Sequence, residues 1–262
     1  MDSLLPLAYC FDLDGTLYRG DVAIPGAVAA IARLRERGIP FRCLSNTSSR
    51  SRAGLAERLR RYGFDITEHE LTTAVVAAAA LIRSRGHRRV LPLVSAEASA
   101  DLAGLELAGG TSERPSSPVD AVLIGDLGDA WRDRHMQEAF QQLRSGADFI
   151  AVSRDRYWLR GETCVLDCGA YVAGLEYVTG RSAEVAGKPT EAFYRSALAA
   201  FEGIPAERVA MVGDDPWSDV AGAQRAGLMG WFVESGKADR NVLAEAGVSP
   251  DRILPSIADL PL

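Results

Sequence analysis

The chain alternates between two hydrophobic periods, and this limits its fold more than any other feature. Leu7–Leu13 (LAYCFDL) is a short, nearly continuous apolar run that halts at Gly15-Thr16, as a strand buried on both faces does before a turn. Ala27–Arg37 then sets Val28, Ile31, Ala32 and Leu34 at helical spacing among charges, with Gly38 as terminator. Ile39–Leu44 reads as a second strand, Ser45-Asn46-Thr47-Ser48 as a cap, Ala53–Tyr62 as a helix ended by Gly63, and Thr72–Ser84 as an alanine-rich helix. Strand, helix, strand, helix predicts a parallel sheet with helices on its faces.

The middle of the chain has a different texture. Val90–Val94, Ala121–Ile124 and Phe149–Val152 read as strands, Asp133–Arg144 and Gly169–Thr179 as helices, and Gly104–Pro118, rich in Gly, Ser and Pro, as loop. From Glu191 the first pattern returns, with helix Ala192–Phe201, strand Val209–Val212, helix Asp219–Ala226, strand Gly230–Val233 and a short strand near Ile253. The fold expected is α/β: a doubly wound parallel sheet built from 1–80 and 184–262, interrupted by an inserted α/β domain at 81–183. No internal repeat of 20–50 residues is visible.

Composition narrows the function classes. The 262 residues are 47% hydrophobic and 24% charged, which excludes a disordered or fibrous chain. A net charge of −6 argues against a nucleic-acid partner. The apolar run near the N-terminus is far shorter than the roughly 18 residues of a membrane span. It has no basic segment before it, so a cytoplasmic protein without membrane association is expected. Four scattered cysteines (Cys10, Cys43, Cys164, Cys168) read as buried free thiols, and the three histidines are isolated. Of the 29 basic residues 27 are arginine, leaving Lys188 and Lys237 as the only lysines. Nine of the arginines fall between Arg33 and Arg61, where a solvated helix face is expected.

Parallel sheets of this kind bind ligands at the carboxyl ends of their strands. After the core strands come Asp12 and Asp14, then Ser45 and Asn46, and later Asp214, Asp215 and Asp219, with Lys188 just before a helix. Each has a plain structural reading as turn former, cap or solvated charge. Jointly they form an edge of hard oxygen donors with one lysine, which suits Mg²⁺ and a phosphorylated substrate. The nucleotide fingerprints GxGxxG and GxxxxGK[ST] are absent from the expected places.

FDLDGT at 11–16, LSNTSSRS at 44–51, VAGKP at 185–189 and MVGDDPWSDVAGAQRAG at 211–227 resemble, in order and spacing, the four signature motifs of the haloacid dehalogenase (HAD) superfamily. With IPGAVAAIARLRERG after the first motif, the chain is similar to class IIA, NagD-like phosphatases, whose Rossmann-like core carries a large α/β cap between the second and third motifs. The resemblance implies Asp12 as a nucleophile forming an aspartyl-phosphate and Asp14 as general acid, then base. It implies Ser45 and the Asn46 backbone as holders of phosphoryl oxygens, and Lys188 as the charge shared between Asp12 and substrate. Mg²⁺ would be held by Asp12, the Asp14 carbonyl and Asp214, with Asp219, Asp215 and Thr16 supporting the ligands from behind. It further implies a small phosphorylated substrate and a homodimer formed through the cap. In the cap, Cys168-Gly169-Ala170 stands where relatives often have a glycine-rich turn, so the substrate is not carried over.

Other chemistries remain for comparison. A phosphonatase would need a cap lysine, and 81–183 has none. A dehalogenase would lack the acid at Asp14. A phosphomutase keeps the motifs but has a smaller cap elsewhere. A receiver-like module phosphorylated on Asp12 would run near half this length.

Overall fold

The computed structural model describes residues 5–109, 117–160 and 163–261. In chain order the first part holds β1 (Ala8–Phe11), the small pair β2 (Tyr18–Arg19) and β3 (Val22–Ala23), α1 (Ala27–Glu36), β4 (Phe41–Ser45), α2 (Arg52–Arg61) and β5 (Leu71–Thr73). The middle holds α3 (Ala74–Ser84), β6 (Arg89–Leu93), β7 (Glu106–Leu107), β8 (Ala121–Ile124), α4 (Asp133–Arg144) and β9 (Asp148–Ala151). A hairpin of β10 (Tyr157–Arg160) and β11 (Thr163–Leu166) follows, then α5 (Gly169–Thr179) and β12 (Glu184–Val185). The last part holds α6 (Glu191–Leu198), β13 (Val209–Gly213), α7 (Gly222–Arg225), β14 (Met229–Val233), α8 (Arg240–Glu245) and β15 (Arg252–Leu254).

The chain divides into two compact units. The first comprises Met1–Ser45, Leu55–Thr72 and Lys188–Leu262; the second comprises Asn46–Gly54 and Thr73–Gly187.

The first unit is built on a six-stranded sheet in the order β15-β14-β13-β1-β4-β5. β1 runs parallel to both neighbours, with Phe11 opposite Val212 on one side and Cys43 on the other. All four residues of β1 are buried, which is why the sequence there is continuously apolar rather than alternating. From β1 the chain winds outward through β4 and β5, then returns to the other side for β13, β14 and β15. The order reverses between β1 and β13, and a doubly wound sheet opens its ligand crevice at the carboxyl ends flanking such a switch.

The second unit has its own parallel sheet, β12-β9-β8-β6-β7, and its own apolar core. Ala74, Val75, Ala78, Ala79 and Ile82 of α3 all belong to that core, so the expected boundary between residues 80 and 81 falls inside one packed helix. Residues 46–54 join this unit through hydrogen bonds: Ser95 N–H donates to Ser48 O (3.2 Å) and Asp126 N–H to Ser48 Oγ (2.7 Å).

The structure redraws several elements. The expected helix Thr72–Ser84 starts at Ala74, because the Thr73 hydroxyl accepts from Val76 N–H and caps it. The expected loop Gly104–Pro118 contains the short edge strand β7, and its residues 110–116 lie outside the described residues. The expected helix Asp219–Ala226 is present but starts earlier, as a π-helix over Pro216–Ala221 that runs into α7. The four cysteines are free, as expected, but only Cys10, Cys43 and Cys168 are buried; Cys164 is exposed on the β10–β11 hairpin.

The arginines between 33 and 61 are not simply a solvated face. The Arg58 guanidinium lies over the Tyr18 ring at 4.8 Å and donates to Gly20 O at 2.6 Å, while Arg33 donates to Ala258 O at 3.0 Å. They tie loops of the first unit to its helices. Among the described residues, no helix is long and apolar enough to cross a membrane.

Candidate active site

Asp12 follows β1 directly, and its N–H donates to Val212 O of β13 at 2.9 Å, so the carboxylate is fixed at the switch point. The chain then turns sharply, with Leu17 N–H donating to Leu13 O (2.8 Å) and Gly15 N–H to Tyr18 O (2.7 Å). Gly15 has φ +87°, and a Cβ there would come within 2.5 Å of Asp214 Oδ2. Glycine is needed for both reasons, which explains the Asp-Gly of the turn.

Lys188 reaches the same point from the other end of the chain. Its ammonium is buried and donates to Asp12 Oδ1 at 2.5 Å and to Asp219 Oδ1 at 2.7 Å. Burial works to lower its pKa, but the Asp12 and Asp219 charges outweigh burial and hold it well above the ordinary lysine value. Asp219 comes from the π-helix Pro216–Ala221 after β13. Its Oδ2 accepts from Asp215 N–H at 3.1 Å, so both of its oxygens are already engaged within the protein. Burial pushes the Asp219 carboxyl up, with Lys188 opposing.

Asp215 caps the π-helix over Pro216–Ala221. Asp215 Oδ1 accepts from Trp217 N–H (2.9 Å) and Ser218 N–H (2.8 Å), while its carbonyl accepts from Asp219 and Val220. Tyr194 of α6, fully buried, donates its hydroxyl to Ser218 O at 2.5 Å and braces the π-helix from behind.

Asp214 is buried at the end of β13, and its Oδ2 accepts from Lys237 N–H at 2.7 Å. Burial first, then the Asp12 charge, pushes its carboxyl up to about 7. Asp14 is pushed up to about 6 by the same two causes in the same order. Asp215 lies below the usual carboxylate range, because Lys237 and the two turn amides outweigh its burial.

The carboxylates of Asp12, Asp214 and Asp219 offer oxygens within 4.8 Å of one another. These donors fit a hard divalent cation. They are all oxygen, the Asp12 charge adds to the burial that raises Asp214 and Asp219, and a dication would relieve that repulsion. Asp219, spent on Lys188 and Asp215, is suited to orient its neighbours.

Of the other expected residues, Ser45 ends β4, the strand beside β1, at the same carboxyl edge. Asn46 opens the second unit, where its Nδ2 donates to Asp155 Oδ2 at 3.0 Å. Thr16 is fully buried, and its hydroxyl takes no hydrogen-bond partner among the described residues.

Tyr194 and the Ser235-Gly236-Lys237 loop also belong to this site, although no motif marks them. Both contacts are tertiary. Lys237 did carry a signal, since it follows the carboxyl end of β14, another core strand.

Two family models match the chain: "Haloacid dehalogenase-like hydrolase" over residues 9–108 and "HAD-hydrolase-like" over 185–260. Haloacid dehalogenase-like hydrolase domain-containing protein 2 of Rattus norvegicus is 39% identical over 230 residues, covering 88% of this chain and 85% of the relative. Phospholysine phosphohistidine inorganic pyrophosphate phosphatase of Homo sapiens is 36% identical over 232 residues, covering 86% and 82%. Among solved structures, glycerol phosphate phosphatase of Mycobacterium tuberculosis in complex with magnesium superposes with a TM-score of 0.84 at 29% identity. The match covers 97% of this chain and 76% of that one.

Proposed function

Since the chain belongs to the haloacid dehalogenase-like hydrolases, in their NagD-like class, we propose that it is a Mg²⁺-dependent phosphatase that hydrolyses a small phosphorylated metabolite through an aspartyl-phosphate on Asp12. The observation that carries this reading is the Asp12 carboxylate at the switch point, paired with the buried Lys188 ammonium at 2.5 Å and flanked by Asp214 and Asp219.

The chain's own groups supply two displacements. Asp12 attacks phosphorus, the bond to the leaving oxygen breaks, and the Asp14 carboxyl gives that oxygen its proton. The Asp14 carboxylate then takes a proton from water; the water oxygen attacks phosphorus, phosphate departs and Asp12 is restored. A carboxyl pushed up to about 6 can serve in both forms near neutral pH. Lys188 neutralises charge shared by Asp12 and the phosphoryl group, where positioning and electrostatics carry most of the catalysis. Ser45 and the Asn46 main chain directly after it would hold phosphoryl oxygens. Bound Mg²⁺, held by Asp12, Asp214 and the Asp14 carbonyl, would offset phosphoryl charge; the magnesium complex of a solved relative supports this choice of ion.

EDTA should stop hydrolysis of p-nitrophenyl phosphate, and added Mg²⁺ should restore it; full activity in EDTA would refute the metal requirement. Asp14→Asn should turn over slowly and accumulate acid-stable-enough acyl-phosphate to be trapped by rapid quench. Fast single-turnover release of phosphate by that variant would count against the role of Asp14.

A further inference from the structure

We propose that Lys237 is a positioning residue for the metal site, fixing the Asp214–Asp215 pair and so setting the affinity for Mg²⁺. The inference rests on the phosphatase reading above and concerns the lysine that reading does not use.

Lys237 spans two consecutive carboxylates with its two ends. Its N–H donates to Asp214 Oδ2 at 2.7 Å, and its Nζ lies 2.9 Å from Asp215 Oδ2. The residue before it is pressed against the same carboxylate: a Cβ on Gly236 would sit 2.0 Å from Asp214 Oδ2. The loop is also tied to the turn that carries Asp14. Ser235 Oγ donates to Gly15 O at 2.7 Å, and the Arg19 guanidinium donates to Ser235 O at 2.6 Å and to Gly236 O. Asp214 thus lies between two glycine backbones, under an amide whose place is set by the lysine side chain behind it.

Two effects of the ammonium oppose each other. As a positive charge near the site it disfavours a dication. As a tether on Asp215 it keeps the Lys237 amide on Asp214 and spares the metal the cost of ordering that carboxylate. The side chain is about a third exposed, so solvent screens the first effect, whereas the tether acts through direct contacts. Positioning therefore dominates, and partners that orient ligands typically matter about 10–100-fold in metal affinity.

The test is calorimetric titration of Mg²⁺ into the full chain, with thermal melts, for the wild type, Lys237→Met and Lys237→Arg. The expected result is Mg²⁺ binding about 10-fold weaker in Lys237→Met. Lys237→Arg, which keeps a cation on Asp215, should lie close to the wild type, and kcat of Lys237→Met should recover at saturating Mg²⁺. Unchanged or tighter Mg²⁺ binding by folded Lys237→Met overturns the proposal; the tighter result would mean that charge, not positioning, governs. Asp215→Asn loosens the other end of the same contact, and if Lys237→Met does not fold, unweakened binding in Asp215→Asn overturns it equally. A wild type that binds no Mg²⁺ refutes the phosphatase reading itself, whereas a wild type that binds with an unaffected Lys237→Met refutes this inference alone.

Discussion

Asp12→Asn should lower kcat for p-nitrophenyl phosphate by about 10⁴-fold or more, in line with the loss of a nucleophile in other covalent mechanisms. The fold should survive. Asparagine has the same shape, and the backbone bond from residue 12 to Val212 O does not involve the side chain. The variant loses one partner of Lys188, yet Lys188 keeps Asp219 at 2.7 Å. It also removes a charge that pushes Asp14 and Asp214 up, so repulsion in the cluster falls. Melting should therefore stay within about 3 °C of the wild type, roughly what 1 kcal/mol moves in a chain of this size. Retained turnover in folded Asp12→Asn would end the nucleophile assignment.

Lys188→Met should damage both activity and stability. The ammonium is buried between Asp12 and Asp219, and removing it leaves the buried Asp219 carboxylate and the partly exposed Asp12 without their cation. Breaking one side of a buried ion pair usually costs about 3–5 kcal/mol. The pH dependence follows from the sign. With Lys188 gone, Asp219 keeps a folded-state pKa above its unfolded value, so the folded protein takes up protons more readily as pH falls. The deficit relative to the wild type should thus be smaller at pH 5 than at pH 8. In the wild type the lysine's own contribution is fully present at neutral pH, because its folded pKa is raised and it titrates only in strong alkali. Denaturant melts of both proteins across that range check the prediction, and an equal deficit at both ends would show that the stranded carboxylates are not the cause. Lys188→Arg should not restore activity, since a planar fork cannot take the place of a compact ammonium between two carboxylates.

Much of the fold could be read from local patterns because the elements that place the site are short, apolar and bounded by glycine. β1 and β13 are fully buried and show it in AYCF and VAMVG. The edge elements were less visible for a physical reason. β5 and β7 have three and two residues, too few for any period, and in the hairpin β10–β11 the mostly apolar β11 is largely exposed, so no inside–outside alternation marks it. The helix expected at Asp219–Ala226 shows its spacing in the sequence, whereas its earlier start as a π-helix at Pro216 is set by the Asp215 cap and by the buried Tyr194 hydroxyl, which is distant in sequence. In the site, Asp12, Asp214, Asp219 and Lys188 could be placed at one edge from strand order alone. That Asp219 is already spent on Lys188 and Asp215, and that Lys237 backs Asp214, depends on side-chain direction, which a linear pattern does not encode.

The way residues 46–54 enter the second unit bears on dissecting the protein. A contiguous fragment 73–187 would carry that unit's whole sheet and still be cut through its hydrogen bonds. Ser95 N–H and Asp126 N–H would lose Ser48, Asp101 would lose the Arg52 N–H that it accepts at 2.8 Å, and Asp155 would lose Asn46. Swapping this unit between relatives therefore requires exchanging two stretches together, the nine residues of Asn46–Gly54 and the long segment Thr73–Gly187.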